Sequence, residues 1–240
     1  MKLHLFSSGS IITWKHLLLH GTPPGIRMEV PVPFYLLEHR KGLFLFDSGQ
    51  QIPQKKLPDD ADFITVLEDS GRAVNQLRPC GILPEDISGI ILSHHHGDHI
   101  SGIRDFPQVP CYVRKEELEY KGVAERLEAN SRSLIFPEKE FDLCGDGEII
   151  LIPTPGHTRG HQSLLLRLDD GQKVLLAADA AYMLESLDQT PPQDSEEHPY
   201  WRSIGLLNHY RQHGVRIITG HDPEDWKNLK KYGDMEKCMQ

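Results

Sequence analysis

The stretch "SHHHGDHISG", residues 93 to 102, follows the apolar run "GIIL" and places four histidines and an aspartate within six positions, His94 to His99. Protonated, so many imidazoles would repel one another. Kept neutral and turned toward a common point, the same groups make a nest of metal ligands, because imidazole nitrogen and carboxylate oxygen suit zinc, iron and similar divalent ions. The spacing H-x-H-x-D-H marks His94, His96, Asp98 and His99 as ligands, mounted where a buried strand ends and a helix begins. In an extended segment the ring of His95 turns away from its neighbours, to solvent or to a pocket wall.

Outward from this turn, short apolar runs recur between glycine, proline and aspartate punctuation: "KLHLF", "PFYLLEH", "GLFLFDSG", "CYVR", "EIILIPTPG", "HQSLLLRLDD", "KVLLAADA" and "VRIITGHD". They read as strands. The linkers "HRKG" and "DDGQ" each join two runs as a hairpin, which implies antiparallel pairing. Helical patterns are fewer: roughly 70–80, one after the histidine turn, roughly 114–129, roughly 200–213, and a last one from about Pro223. Residues 8–33 read as a long loop and 188–199 as a polar, proline-rich one.

The 240 residues, 38% of them hydrophobic, suffice for one domain with a buried core, expected over 1–240. A net charge of −9, from 26 basic and 35 acidic residues, favours neither nucleic acid nor an anionic membrane as partner. The N-terminus has no uninterrupted apolar region with a cleavage site, and no run approaches membrane-spanning length, so a cytosolic location is expected. Cys80, Cys111, Cys144 and Cys238 are scattered without a C-x-x-C pair, which points to thiols and leaves metal binding to histidine and carboxylate.

Three further strand ends offer single candidates: His157 in "TPGHTRGH", Asp179 in "LLAADAAY" and His221 in "IITGHDP". Each is weak alone; their joint order and spacing carry them. Five histidines and two aspartates are too many for one tetrahedral zinc, but they suit two ions that share one carboxylate around a bridging hydroxide. Two dications, two carboxylates and that hydroxide leave one positive charge, which favours an anionic transition state.

The segments "SHHHGDH", "TPGHTRGH", "AAD" and "TGHD", in that order, resemble the metallo-β-lactamase-fold hydrolases over most of the chain. Within them the chain is most similar to the N-acyl homoserine lactone lactonases, through "EVPVPFYLLEHRKGLFLFDSG" and through Tyr182, which follows Asp179 in "DAAY". The resemblance implies an α/β (α+β) fold, a four-layer αββα sandwich. It implies one metal held by His94, His96 and His157, a second by Asp98, His99 and His221, and Asp179 as the bridge. The cofactors are then two divalent ions, zinc first, with iron, cobalt or manganese as alternatives. The partner is a small-molecule lactone substrate, and the chain is a monomer or homodimer.

On the same resemblance, the metal-bridging hydroxide attacks the lactone carbonyl, Tyr182 stabilises the oxyanion, and Asp98 passes the proton to the leaving alkoxide. Asp47 and His161 read equally as groups that orient ligands and as loop caps. The rivals are a hydrolase of another small lactone or ester, such as a pyridoxine-derived lactone, a glyoxalase II-like thioesterase, and a metal-binding sensor without turnover. Glyoxalase II resembles a longer chain with a further C-terminal domain, for which the residues after His221 leave no room. One departure from the lactonases is Gly97, where a bulky apolar residue is usual, so more space is expected beside the metals. Ile11, Ile12, Trp14, Leu17, Leu18 and Met28 could face an acyl chain, the core or a partner subunit.

Overall fold

The computed structural model describes residues 1–129 and 133–229. Its elements are, in order, β1 (Lys2–Trp14), α1 (Lys15–Leu18), β2 (Arg27–His39), β3 (Gly42–Phe46), β4 (Phe63–Val66), α2 (Ala73–Leu77), β5 (Ile87–Ile91), α3 (Gly97–Ile100), β6 (Cys111–Tyr112) and α4 (Val123–Glu128). Then follow β7 (Leu134–Ile135), β8 (Phe141–Asp142), β9 (Ile149–Pro153), β10 (Gln162–Arg167), β11 (Lys173–Ala178), α5 (Leu184–Leu187), α6 (Pro199–Gln212), β12 (Arg216–Thr219) and α7 (Pro223–Leu229). One sheet has the order β4-β1-β2-β3-β5-β6-β7 and the other β12-β11-β10-β9-β8.

The period-two alternation of strand side chains decides the layers. Ile91, Phe46, Phe44 and Leu37 of the first sheet meet Leu151, Leu164, Leu166 and Leu176 of the second in a core between the sheets. The alternate residues Ile90, Leu92, Leu45 and Leu36 face outward onto Leu77, Ile100 and Leu127 of the helices. On the far side Ile152, Leu175, Ala177 and Ile217 lie under Leu187, Ile204 and Leu207 of α5 and α6. Strands with both faces covered read as unbroken apolar runs, which is why "GIIL" and "KVLLAA" show no polar alternation. The result is the αββα sandwich.

Both expected hairpins form, Tyr35–His39 pairing antiparallel with Gly42–Phe46 and Leu164–Arg167 with Lys173–Leu176. The expected loop at 8–33 is a correction: β1 runs through it to Trp14 and pairs with β2 on one side and β4 on the other. Its register shifts between Ser7 and Ser10, where Gly9 has φ +68° and an added Cβ would lie 2.2 Å from the Val66 carbonyl oxygen. That bulge breaks the alternation by which a strand is read. The expected helix at 114–129 divides into a 3₁₀ turn, Lys115–Glu119, and α4, with a turn through Gly122 between them. Cys111 and Cys144 are buried, and Cys238 lies outside the described residues. Among the described residues no helix is long and apolar enough to cross a membrane.

Candidate metal centre

β5 pairs in parallel with β3, and β12 with β11. The residues just after these strands, together with His157 from the β9–β10 loop, meet at one end of the sandwich. His94 and His96 leave the end of β5, and Asp98 and His99 sit in the single turn of α3. Asp179 directly follows β11, and His221 lies two residues beyond the end of β12.

All seven residues expected from the sequence converge. Their ligand atoms form two groups, His94, His96, His157 and Asp179 in one and Asp98, His99 and His221 in the other. Asp179 stands between them. Its Oδ2 is 3.2 Å from His157 Nε2 and 3.5 Å from His94 Nε2, while its Oδ1 is 3.2 Å from His221 Nε2 and 3.3 Å from His99 Nε2. Asp98 Oδ2 completes the second group at 3.4 Å from His99 Nε2 and 3.5 Å from His221 Nε2.

Three observations fit this donor set to divalent cations. His157 Nε2 lies 3.0 Å from His94 Nε2 and 2.8 Å from His96 Nδ1, a spacing at which neutral ring nitrogens turn lone pairs onto one another. His99 Nε2 and Asp179 Oδ1 are buried with no hydrogen-bond partner. A cation within the first group would satisfy the former condition and one within the second the latter.

The third observation is the far side of each ring. His99 Nδ1 faces Asp47 Oδ2 at 2.7 Å, His221 Nδ1 faces the Pro31 carbonyl at 2.7 Å, His94 Nδ1 faces Ser93 Oγ at 3.0 Å, and His157 Nδ1 faces the Tyr182 hydroxyl at 2.9 Å. Each partner can accept a proton from Nδ1, which leaves the Nε2 lone pair directed into the site.

Burial holds the imidazoles of His94 and His96 below their ordinary pKa, His94 far below with His99 adding to the effect, and brings His157 down to about 4. Burial opposes charge on His99 and His221 too, but the carboxylates of Asp98 and Asp179 outweigh it and raise both, His99 strongly. Burial would raise Asp98 and Asp179, yet the surrounding histidines keep both carboxyls below the usual range. Burial thus disfavours charge on the histidines of one group, while the carboxylates favour it on the histidines of the other. Burial, with the Asp179 carboxylate nearby, raises the Tyr182 phenol, so its proton stays on oxygen.

The two undecided residues turn inward. Asp47, at φ +60°, accepts from the Ser93 N–H at 2.7 Å and from the Ser93 hydroxyl at 2.9 Å, besides facing His99. His161 packs its ring 5.2 Å from that of His94 and bonds Thr154 Oγ1 through Nδ1 at 2.9 Å; burial brings it down to about 3. His95 is neither open to solvent nor a wall of the cavity: its ring stacks on Tyr120 at 3.8 Å and its Nδ1 meets Glu117. Ser93, Thr154 and Glu117 were invisible in the sequence, where nothing separates them from ordinary loop residues.

A cavity of about 420 Å³ opens onto the two groups, floored by His96, Asp98, His157, Asp179, Tyr182 and His221. Ile11, Leu18, Val30 and Phe63 give it an apolar wall, so part of the segment read as a loop serves the site. A Cβ on Gly97 would meet only Ser101 Oγ, at 3.4 Å, so the glycine leaves that side of the cavity open.

The sequence matches the family described as Metallo-beta-lactamase superfamily over residues 27–230. It is 31% identical to an N-acyl homoserine lactonase, AttM, of Rhizobium radiobacter, over 96% of this chain and 97% of the relative. It is 34% identical to an N-acyl homoserine lactonase of a Bacillus species, over 87% and 88%. The fold superposes with a TM-score of 0.83, at 28% identity and 95% of both chains, on a solved N-acyl homoserine lactone hydrolase that has the product N-hexanoyl-L-homoserine at its catalytic metal centre.

Proposed function

The chain belongs to the metallo-beta-lactamase superfamily, and we propose that within it the chain is a metal-dependent lactonase that hydrolyses the ring ester of N-acyl homoserine lactones. The observation that carries this reading is Asp179, whose two oxygens turn to two separate histidine groups at the floor of a cavity with an apolar wall. In this reading His94, His96 and His157 would hold one ion, Asp98, His99 and His221 the other, with Asp179 shared between them, and both ions would be zinc. Residues 1–240 act as one domain.

Two divalent ions, when bound, supply Lewis acidity at the ester carbonyl and a water of lowered pKa as nucleophile. With His157 Nε2 turned to an ion, its proton resides on Nδ1, so the Tyr182 oxygen accepts from His157 across 2.9 Å. The phenolic proton is then free to point into the cavity, where Tyr182 donates to the oxyanion formed from the carbonyl. Asp98, partly open to the cavity and with Oδ2 turned to His99 and His221, takes the proton released by the attacking water at Oδ1 and returns it to the ring oxygen as the carbon–oxygen bond breaks. N-acyl homoserine leaves. The wall of Ile11, Leu18, Val30 and Phe63 excludes water from the acyl chain.

The test is proton release from zinc-reconstituted protein with short- and long-chain N-acyl homoserine lactones, beside an unacylated lactone and S-lactoylglutathione. The expected result is kcat/KM above about 10⁴ M⁻¹s⁻¹ on the acylated lactones only. Equal, weak turnover of all four would discard the substrate and keep the hydrolase.

A further inference from the structure

The run "RKEELEY", residues 114–120, reads as a charged surface segment, and Glu116 and Glu119 lie toward solvent; Glu117 between them is fully buried. Its carboxylate is surrounded by donors. Oε2 accepts from the His95 backbone N–H at 2.9 Å and meets His95 Nδ1 at 2.5 Å. Oε1 accepts from the Thr158 hydroxyl at 2.7 Å and from the Gly160 N–H at 2.8 Å. A buried carboxylate is costly unless both oxygens are satisfied by good donors, and here all four contacts come from donors.

Those donors lie on two segments only. His95 stands between His94 and His96, and Thr158 and Gly160 follow His157. The carboxylate therefore joins the two loops that carry one histidine group, one oxygen to each loop. The approach is tight: a Cβ at residue 160 would lie 2.8 Å from Glu117 Oε1 and 3.0 Å from Arg114 Cβ, so only glycine fits. The ring of His95 is held from its other side by Tyr120, stacked within 21° of parallel. No hydrogen bond runs from Glu117 to Asp98, His99 or His221 among the described residues; that group has its own carboxylate, Asp47, on His99 Nδ1.

We propose that Glu117 is the positioning residue for the His94, His96 and His157 group, fixing the distance between two loops so that His157 reaches the pair, and that it acts on that ion alone. The proposal rests on the two-ion reading above. Outer partners of metal ligands are worth about 10–100-fold in metal affinity, and a tie confined to one group must show that loss in one equivalent of metal, whereas a general loss of structure weakens both.

The experiment is titration of chelator-cleared wild type and Glu117→Gln with Co²⁺, followed by its visible absorption and by competition with a chelator. Glutamine keeps the size but sets an NH₂ group against two donors. The wild type is expected to take up two equivalents, and the variant to bind one of them as tightly and the other about 10–100-fold more weakly. Two equivalents bound at wild-type affinity, or equal weakening of both, would overturn the role of Glu117 and leave the two-ion reading standing. Fewer than two equivalents in the wild type would overturn the two-ion reading, and the proposal with it. Should Glu117→Gln not fold, Thr158→Val removes one donor and keeps the carboxylate; the same equivalent must weaken several-fold, and unchanged affinity would be equally fatal.

Discussion

Among the described residues, two places gather a buried histidine and two or more carboxylates, and of these one has the polarity of a metal site. At the end of the sandwich, the Nδ1 partners of His94, His99, His157 and His221 can each accept a proton, so Nε2 is left as a donor atom, while His96 turns Nδ1 itself into the site. In the other cluster, His39 Nε2 is 3.2 Å from both Asp146 Oδ2 and Glu148 Oε2, which by distance alone is a third ligand group. There, however, the Lys41 backbone N–H lies 3.1 Å from His39 Nδ1 and can only donate. Nδ1 must accept, the proton of the neutral ring sits on Nε2, and no lone pair remains for an ion. That N–H points between two oxygens, which is why it sits 3.2 Å from each without a well-aligned hydrogen bond. Asp146 is further satisfied by Arg40 at 2.7 Å. Whether histidine and carboxylate bind a metal is decided by what faces the other ring nitrogen.

The comparison is tested most severely at Asp179. Asp179→Ala removes the group shared by both sets of histidines and leaves His99 and His221 without the carboxylate between them. Loss of both ions and of all measurable lactone hydrolysis is expected, read as metal per chain after desalting together with turnover. An active variant that retains its metal would break the two-ion assignment.

Next in size is Tyr182→Phe. Cavity water can take over the His157 Nδ1 proton, so metal content should hold while kcat/KM falls about 10²–10³-fold, the worth of one oxyanion donor. Unchanged kcat/KM would remove Tyr182 from the chemistry; a loss of metal would make it a partner of His157 and nothing more.

Asp47→Asn comes third. Asparagine tolerates the left-handed backbone at φ +60°, so the substitution changes the acceptor and spares the turn. Its NH₂ must face either the Ser93 N–H or His99 Nδ1. The affinity of the Asp98, His99 and His221 group should fall about 10–100-fold, and the other group, which Asp47 reaches only through the Ser93 hydroxyl facing His94, should weaken less, the reverse of the order expected for Glu117. Weakening of the His94 group in place of this one would show that the carboxylates do not divide the site as described.

The part of this arrangement legible in the sequence was the part with local spacing. His94, His96, Asp98 and His99 declare themselves because four ligands share one turn, and His157, Asp179 and His221 because they follow apolar runs in the right order, Asp179 and His221 at strand ends and His157 in the loop after β9. The strands showed as apolar runs of strand length, and their stacking into four layers was implied by the family resemblance alone. What the sequence hid was non-local or masked. β1 was hidden by the bulge at Gly9, which interrupts alternation within "SSGSII". Glu117 was hidden by two exposed glutamates beside it, since burial comes from loops 22 and 41 residues away. The cavity wall combines Ile11 and Leu18 with Phe63, which no spacing connects.

The smallest effect at the metal centre, and the sharpest for the comparison, is expected from His39→Leu. The side chain of His39 is fully buried; leucine fills similar space, returns no proton to Asp146 and Glu148, and leaves the Lys41 N–H without its acceptor. Both carboxylates are partly exposed, so water can solvate them, and the net cost should be about 1–3 kcal/mol. For a chain of this size that is a fall of about 2–4 °C in Tm for each kcal/mol, measurable by thermal unfolding. Metal content and kcat/KM should not move, because the cluster lies where β2 turns into β3 and its only ring proton is already committed. If wild type binds a third equivalent that His39→Leu loses, the Lys41 N–H does not set the polarity of this ring, and distance alone would be the better guide to a metal site.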